Sequence, residues 1–461
     1  MTLSVVILAA GQGTRMKSAL PKVLHDLGGQ PLLSHVLKAA HEIGAYNIYV
    51  VYGHGGEQLK RVIGDVGCRW VEQSQQLGTG HALNQALPLI DDDNKVLVLY
   101  GDVPLISADT LRSLLRQLDG STLALLTAHL EDPTGYGRIV RDSKRNVCEI
   151  VEQKDASESV KRITEINTGF IAAFSKDLKR WLSQVTNKNS QGEYYLTDVI
   201  ALAVKDGFRV HTVHPSDPIE IMGINTRSQL ADMERNYQRR IAEKLMLNGI
   251  TLRDPNRIDV RGELIAAPDC VIDINAVFEG RVELGRNVVI GPNVCIKDSI
   301  IGENSQIFAN SVIDGAIVGE SARIGPFARL RPGTDLAADV HIGNFVELKK
   351  AHVQHGTKIN HLSYVGDTRV GEDVNIGAGT ITCNYDGANK HETIIGDRVF
   401  IGSDTQLVAP ITIGNDATVA AGTTVTKDVP ENVLVISRVP QQVKTGWKRP
   451  RKSKSGKDTA P

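Results

Sequence analysis

Five cysteines in 461 residues, Cys68, Cys148, Cys270, Cys295 and Cys383, share no CxxC spacing. That argues against a zinc ribbon or a disulfide framework and suits a reducing, cytoplasmic compartment. No stretch approaches the roughly 20 apolar residues that a membrane helix needs, and the first apolar run is reached without a basic leader. Neither sign of charge prevails, with 52 Lys and Arg against 53 Asp and Glu. Such a balance gives no general pull toward nucleic acid. The expectation is a cytoplasmic protein that inserts in no membrane and binds no nucleic acid. Its length is too great for one ordinary core and implies two domains or more.

What the chain does have is glycine, in two patterns. The first is LAAGQGTRM, residues 8–16, directly after the apolar run Val5-Val6-Ile7. A buried strand that breaks into such a turn lets backbone amides approach a phosphate. The spacing fits neither common template. Met16 stands where a dinucleotide fingerprint needs a small residue, and no Gly-Lys-Ser/Thr follows. Residues 1–227 alternate short apolar runs with helical patterns. Strands are predicted at 4–10, 47–52, 95–100, 122–128 and 166–173, and helices at 32–43, 79–87, 107–118 and 196–205. This is the grammar of a mostly parallel α/β sheet, whose ligands bind beyond the carboxyl ends of the strands. Residue 11 lies there. Over 228–247, Leu230, Met233, Tyr237, Ile241 and Leu245 recur every three or four residues and predict one amphipathic helix ending at Asn248-Gly249. It is either a connector lying on a domain or an exposed arm.

The second pattern begins near residue 258 and runs to about 436 with a period of six. Ile272, Phe278, Leu284, Ile290 and Ile296 keep that spacing, as do Ile307 and Ile313. Ile324, Leu330, Leu336, Ile342 and Leu348 form a third run, and Ile395, Ile401, Leu407, Ile413, Val419 and Val425 a fourth. Glycine often follows the aliphatic residue. A hexad repeat predicts a parallel β-helix, three hexads to a triangular coil, with the aliphatic residue pointing inward. The register breaks between Ile376 and Ile395, around ITCNYDGANKHET, and such an insertion is where a regular coil places binding residues.

Further motifs follow LAAGQGTRM in the first half: LPK at 20–22, QLGTGHA at 76–82, YGDVPL at 100–105, GYGRI at 135–139, INTGF at 166–170 and GINT at 223–226. With these the chain resembles the sugar-nucleotide pyrophosphorylases. Gly11 and Gly13 would let amides approach a triphosphate, and Arg15 and Lys22 would neutralise it. Asp102 follows the run KVLVLY, so its carboxylate would emerge at a strand's end, suited to Mg²⁺. The resemblance makes Asn225 the second metal ligand. It also implies that Gln73, Gly78 and Thr79 read a uracil edge, that Leu8, Ala9, Ala10, Tyr100 and Gly101 line the nucleotide site, and that Gly137, Glu152 and Asn167 hold a sugar.

The hexad half adds RLRPG at 329–333, VELKKA at 346–351, INHLSYVGD at 359–367 and NIGAGTITCNYDG at 375–387. Together the two halves resemble the bifunctional family that joins glucosamine-1-phosphate N-acetyltransferase to N-acetylglucosamine-1-phosphate uridylyltransferase. The resemblance spans residues 1 to 450. It implies a Rossmann-like uridylyltransferase domain at 1–227, a helical linker at 228–248 and a left-handed β-helix at 249–461. It implies glucosamine-1-phosphate, acetyl-CoA and UTP as substrates, Mg²⁺ as cofactor and a homotrimer, feeding peptidoglycan and lipopolysaccharide precursors. His361 would be the catalytic base, since acetyl transfer to an amine needs a proton acceptor near pH 7. Arg331 and Lys349 would hold the sugar phosphate, Tyr364 and Asn375 the sugar, and Asn384 and Tyr385 the acetyl donor. Ala378, Ser403, Ala421 and Arg438 would line the coenzyme A site. His352 and His355 lie off the motif and read as surface residues. The tail from Lys444 to Lys457 carries seven basic residues, a run that is usually a solvated end and that can attract coenzyme A phosphates. Two rivals remain. One is a single-activity pyrophosphorylase whose β-helix only oligomerises or regulates. The other is a scaffold with a dead transferase fold, which predicts lost ligands.

Overall fold

The computed structural model describes residues 2–53 and 55–450. The part of the basic tail from 451 onward lies outside them. Two compact units are present. The first comprises Met1–Ile265 with Asp273–Val282, and the second Ala266–Ile272 with the chain from Glu283 onward.

The first unit is built on one sheet. Its strands are β1 (Leu3–Ala9), β2 (Asn47–Tyr52), β3 (Arg69–Glu72), β4 (Lys95–Tyr100), β5 (Thr122–His129), β6 (Arg138–Arg141), β7 (Val147–Val151), β8 (Glu165–Phe174) and β9 (Arg209–Val213). The order is β9-β5-β8-β4-β1-β2-β3. All neighbours are parallel except β8, which runs antiparallel to both β4 and β5. A β6–β7 hairpin attaches to β8. Both faces are covered. Val5 and Ile7 pack with Leu33, Val36 and Leu111 on one side, and Val6 and Leu8 with Leu83, Trp181 and Val199 on the other. Burial on two faces explains why these strands read as continuous apolar runs. Each such side chain contributes about 1.5–3 kcal/mol.

Helices cover Leu32–Glu42, Thr79–Ala86, Ala108–Leu115 and Asp198–Lys205, close to the predicted spans, and further helices lie at Gly56–Ile63 and Ser175–Leu182. The amphipathic helix is Arg227–Leu247. It lies on the first unit rather than standing out as an arm. Met233 packs with Leu27, Leu32 and Leu105, and Glu234 accepts the Gly28 amide proton at 2.8 Å.

In the second unit the aliphatic residue of every hexad named above from Leu284 to Val425 is buried. Strands of two to seven residues stack in parallel with one coil every seventeen or eighteen positions: Ile290 pairs with Ile307, and Ile324 with Ile342. The glycines serve this stacking. A Cβ on Gly291 would come 2.9 Å from the Ala309 amide nitrogen of the next coil. The inserted segment lengthens one coil only, since Ile376 pairs with Ile401, twenty-five positions on.

Candidate active sites

In the first unit, β1 ends at Ala9 and β4 at Tyr100, side by side in register. The turns that follow leave a cavity of about 500 Å³ lined by Leu8, Ala9, Ala10, Gly11, Lys22, Gln73, Gly78, Thr79, Tyr100 and Asp102, together with Gln12, Gln76 and Glu193. Gly101 lies under it, its amide bonded to the Leu8 carbonyl. A Cβ added at Gly11 would meet no atom within 4 Å. Nothing in the protein's own packing therefore demands glycine there, whereas a ligand lying against the backbone would.

Lys22 sits on a 3₁₀ turn, Lys22–Leu24, behind Pro21. Its Nζ pairs with Asp102 Oδ2 and donates to Asn225 Oδ1 at 3.0 Å. Arg15 donates to the same Asn225 oxygen at 2.9 Å. Four of the residues singled out from sequence thus converge, although 210 positions separate Arg15 from Asn225. A capping box fixes Asn225. Thr226 caps the helix that starts at Arg227, and Gln229 accepts the Asn225 amide proton at 2.8 Å. The Thr-x-x-Gln spacing at 226–229 is a signal that the motif reading passed over.

Glu152, Asn167 and Gly137 form a second group at the β6–β8 edge. The Asn167 amide donates to the Gly137 carbonyl at 2.8 Å, and Thr197 donates to Glu152 at 3.2 Å. Burial, reinforced by Asp198 and Asp155, raises the Glu152 carboxyl above its ordinary range. Tyr100 links the two groups. Burial pushes its phenol well above the usual value, with Glu152 and Asp102 adding to the effect.

The second unit brings its candidates together by coil register. Asn344 stands opposite His361 on adjacent coils, and His361 Nδ1 lies 3.0 Å from Asn344 Oδ1. The amide oxygen can only accept, so Nδ1 carries a proton, and the neutral ring has its lone pair on Nε2. Lys349 Nζ is 3.6 Å from Asp367, whose carboxylate also takes the Asn384 amide. Arg331 pairs with Glu347 at 2.9 Å. Asn375 follows Lys358 in the strand register, and Tyr364 precedes Ile381. The insertion folds back on itself, with Tyr385 bridged to Lys390. Lys390 is a residue the sequence reading missed. Its ammonium is held below the ordinary lysine value by Lys349 beside it. Ala378 and Ser403 stack through the Asp404 amide on the Ala378 carbonyl, and Ser403 through its own carbonyl to the Gly422 amide beside Ala421. Arg438 is exposed beyond the last strand, and its neighbour Ser437 donates its amide to Thr423 Oγ1 at 3.4 Å, two positions from Ala421. His352 and His355 are exposed partners of Asp335 and Asp339.

Among the described residues one His/Glu group has metal-like spacing, namely His129, Glu165 and His214. Both Glu165 oxygens already take Arg141, at 2.6 and 2.7 Å, and one also takes Thr127. No helix among the described residues is long and apolar enough to cross a membrane.

The family models that match the chain support a transferase: a nucleotidyltransferase domain followed by a parallel β-helix of hexapeptide repeats. Residues 5–191 match the MobA-like NTP transferase domain. Residues 260–342 match the GMPPB C-terminal domain, and residues 392–427 match the bacterial transferase hexapeptide repeats. A solved nucleotidyl transferase from Methanothermobacter thermautotroptrophicus is 23% identical. It covers 52% of this chain and 99% of its own, at a TM-score of 0.39.

Proposed function

We propose that the chain is a bifunctional enzyme of UDP-N-acetylglucosamine synthesis. The β-helix acetylates glucosamine-1-phosphate with acetyl-CoA, and the N-terminal domain transfers UMP from UTP to the resulting N-acetylglucosamine-1-phosphate. The observation that carries the uridylyl reading is the convergence of Arg15, Lys22, Asp102 and Asn225 at the mouth of the β1 turn. A phosphate oxygen of the sugar phosphate, ionised near neutral pH, attacks the α-phosphorus of UTP. The bond to the β-phosphate breaks and pyrophosphate leaves, so no general base is needed. Arg15 and Lys22 offset the charge that accumulates on the phosphate oxygens. The Asp102 carboxylate and the Asn225 amide oxygen already share one cation, the Lys22 ammonium, and an oxygen donor set of this kind fits a hard ion. Mg²⁺ held by Asp102 and Asn225 would supply further charge neutralisation on the phosphates.

For acetyl transfer, the substrate amine attacks the thioester carbonyl, His361 Nε2 takes the amine proton, and coenzyme A leaves as the thiolate. The Nδ1 contact with Asn344 supports that role. Arg331, Lys349 and Lys390 bind the sugar phosphate, Tyr364 and Asn375 the sugar, and Asn384 and Tyr385 the acetyl group. Ala378, Ser403, Ala421 and Arg438 bind coenzyme A. The chain works as a homotrimer. Phe327, Phe345 and Leu362 are exposed at successive coil corners, all in left-handed backbone that bulky residues seldom adopt. Two of them adjoin Asn344 and His361, so a neighbouring copy seated on this ladder would wall the acetyl site.

A second reading has its own support. The GMPPB C-terminal match favours a single-activity pyrophosphorylase with a non-catalytic β-helix. One pair of assays decides: glucosamine-1-phosphate with acetyl-CoA, then the acetylated product with UTP and Mg²⁺. Turnover in both supports the bifunctional enzyme, and turnover in the second alone supports the alternative.

A further inference from the structure

The insertion is shaped from within rather than by the coils around it. It runs from Asn384 to Glu392, between the strands Ile381–Cys383 and Thr393–Ile395. Residues 385–390 are all exposed, so core packing does not fix them. Among the described residues, the hydrogen bonds of 385–389 are made inside the segment. The Tyr385 hydroxyl donates to the Gly387 carbonyl at 2.6 Å. The Asp386 amide donates to the Asn389 carbonyl at 3.1 Å. Asp386 Oδ1 accepts the Ala388 and Asn389 amides at 2.8 and 2.6 Å.

His391 closes this turn twice. Its backbone amide donates to the Asn384 carbonyl at 2.8 Å, and its ring Nε2 lies 2.7 Å from Asp386 Oδ2. The Asn389 amide, the His391 ring and the Ala388 amide hold the Asp386 carboxyl well below the ordinary carboxylate range. An ionised carboxylate can only accept, so Nε2 is the donor. The residues on both sides of Tyr385 are thus tied to one residue on the returning limb. A pull in the opposite sense acts one position earlier, where Lys390 stands beside the Lys349 ammonium and like charges repel. An exposed turn under that repulsion needs an internal tie to keep its shape.

We propose that His391 is a positioning residue of the acetyl-donor site: through its amide on Asn384 and its ring on Asp386 it holds Asn384 and Tyr385 in the shape that receives the donor. The ordering cost of the turn is then met before the donor binds rather than during binding. The inference rests on the proposed acetyl transfer and deepens it.

The test measures coenzyme A release by the full chain with glucosamine-1-phosphate at varied acetyl-CoA. His391→Leu and His391→Phe remove the ring donor and leave the backbone bond, and His391→Gln returns an N–H donor at similar reach. Thermal melting reports folding, and two apolar variants guard against one of them failing to fold. The kcat/KM for acetyl-CoA is expected to fall about three- to tenfold in the apolar variants, the weight of one partly exposed hydrogen bond to a carboxylate. The fall should lie in KM for acetyl-CoA more than in kcat, because what is lost is order in the free turn. It should be reversed in His391→Gln. In an Asp386→Ala background, His391→Leu should change nothing further, because the partner of the ring is gone. An unaltered kcat/KM in folded His391→Leu and His391→Phe overturns the inference. So does an equal fall with and without Asp386, or a matching loss of uridylyl transfer, either of which would mark a general structural role. A wild-type chain that releases no coenzyme A sinks the acetyl reading itself.

Discussion

Asn344 offers the sharpest probe of the acetyl site, because it touches the base and nothing else in the proposed chemistry. Its Oδ1 lies 3.0 Å from His361 Nδ1 across two adjacent coils. Replacing it by Ala removes the group that keeps the proton on Nδ1 and holds the ring. A hydrogen bond of this kind contributes about 1 kcal/mol, which is about fivefold in rate, and loss of the ring's orientation adds a similar factor. Acetyl transfer should therefore fall by about 5- to 30-fold, well short of the 10²–10⁴ expected from removing a general base outright in His361→Ala. The pair is exposed, so the melting temperature should hardly move. Asn344→Asp tests the direction of the effect. A carboxylate accepts the same proton but also stabilises imidazolium, which raises the pKa of His361. The base must be unprotonated to act, so the acid limb of the pH–rate profile should move to higher pH. The measurement is coenzyme A release with glucosamine-1-phosphate from pH 5.5 to 9. Full activity in Asn344→Ala, or an acid limb that moves to lower pH in Asn344→Asp, would refute His361 as a base oriented by Asn344.

The two activities should also separate. Asp102→Ala should abolish uridylyl transfer and spare acetyl transfer, and His361→Ala should do the reverse; equal damage to both in a folded protein would dissolve the two-site assignment. Chelation with EDTA should stop only the uridylyl half-reaction, and added Mg²⁺ should restore it, as read by pyrophosphate release. Gly11→Ala should leave thermal stability unchanged, since its Cβ meets open space, while raising KM for UTP; a lowered melting temperature with unchanged KM would show that the turn needs glycine for itself. Mixing inactive His361→Ala and Asn384→Ala chains should recover acetyl transfer if each site is shared between copies, and an active monomer by light scattering would exclude that.

The fold was legible where burial left a periodic trace. The hexad residues are buried along the β-helix because every coil repeats the same inward position, and β1, β4 and β5 were legible because both their faces are covered. Other strands hid for the opposite reason. Arg69–Glu72 and Arg209–Val213 are the two edges of the sheet and are half exposed, so charged residues interrupt the apolar signal. The β6–β7 hairpin carries arginines at both ends of its first strand, although Arg138 is itself buried. Whether the 227–247 helix lay on a domain or stood free was not decidable from its own stripe. Its partners Leu27, Leu32 and Leu105 come from distant segments.

The sites follow the same logic. A motif names residues expected to touch a ligand; Lys22, Asp102 and Gln73 were singled out that way, and all three line one cavity. It does not name residues that aim the others. Gln229 lies outside every motif, yet its side chain accepts the Asn225 amide proton and so fixes a residue that a motif does name. Asn344 could have been found by arithmetic, since a coil of seventeen residues sets it opposite His361, but the hexad count alone does not say which coils exchange side chains. Lys390 was hidden by the break in register, because an insertion has no period from which to place it. The residues that reading missed are thus those whose role is set by a neighbour one coil or one turn away, where sequence separation and spatial distance have come apart.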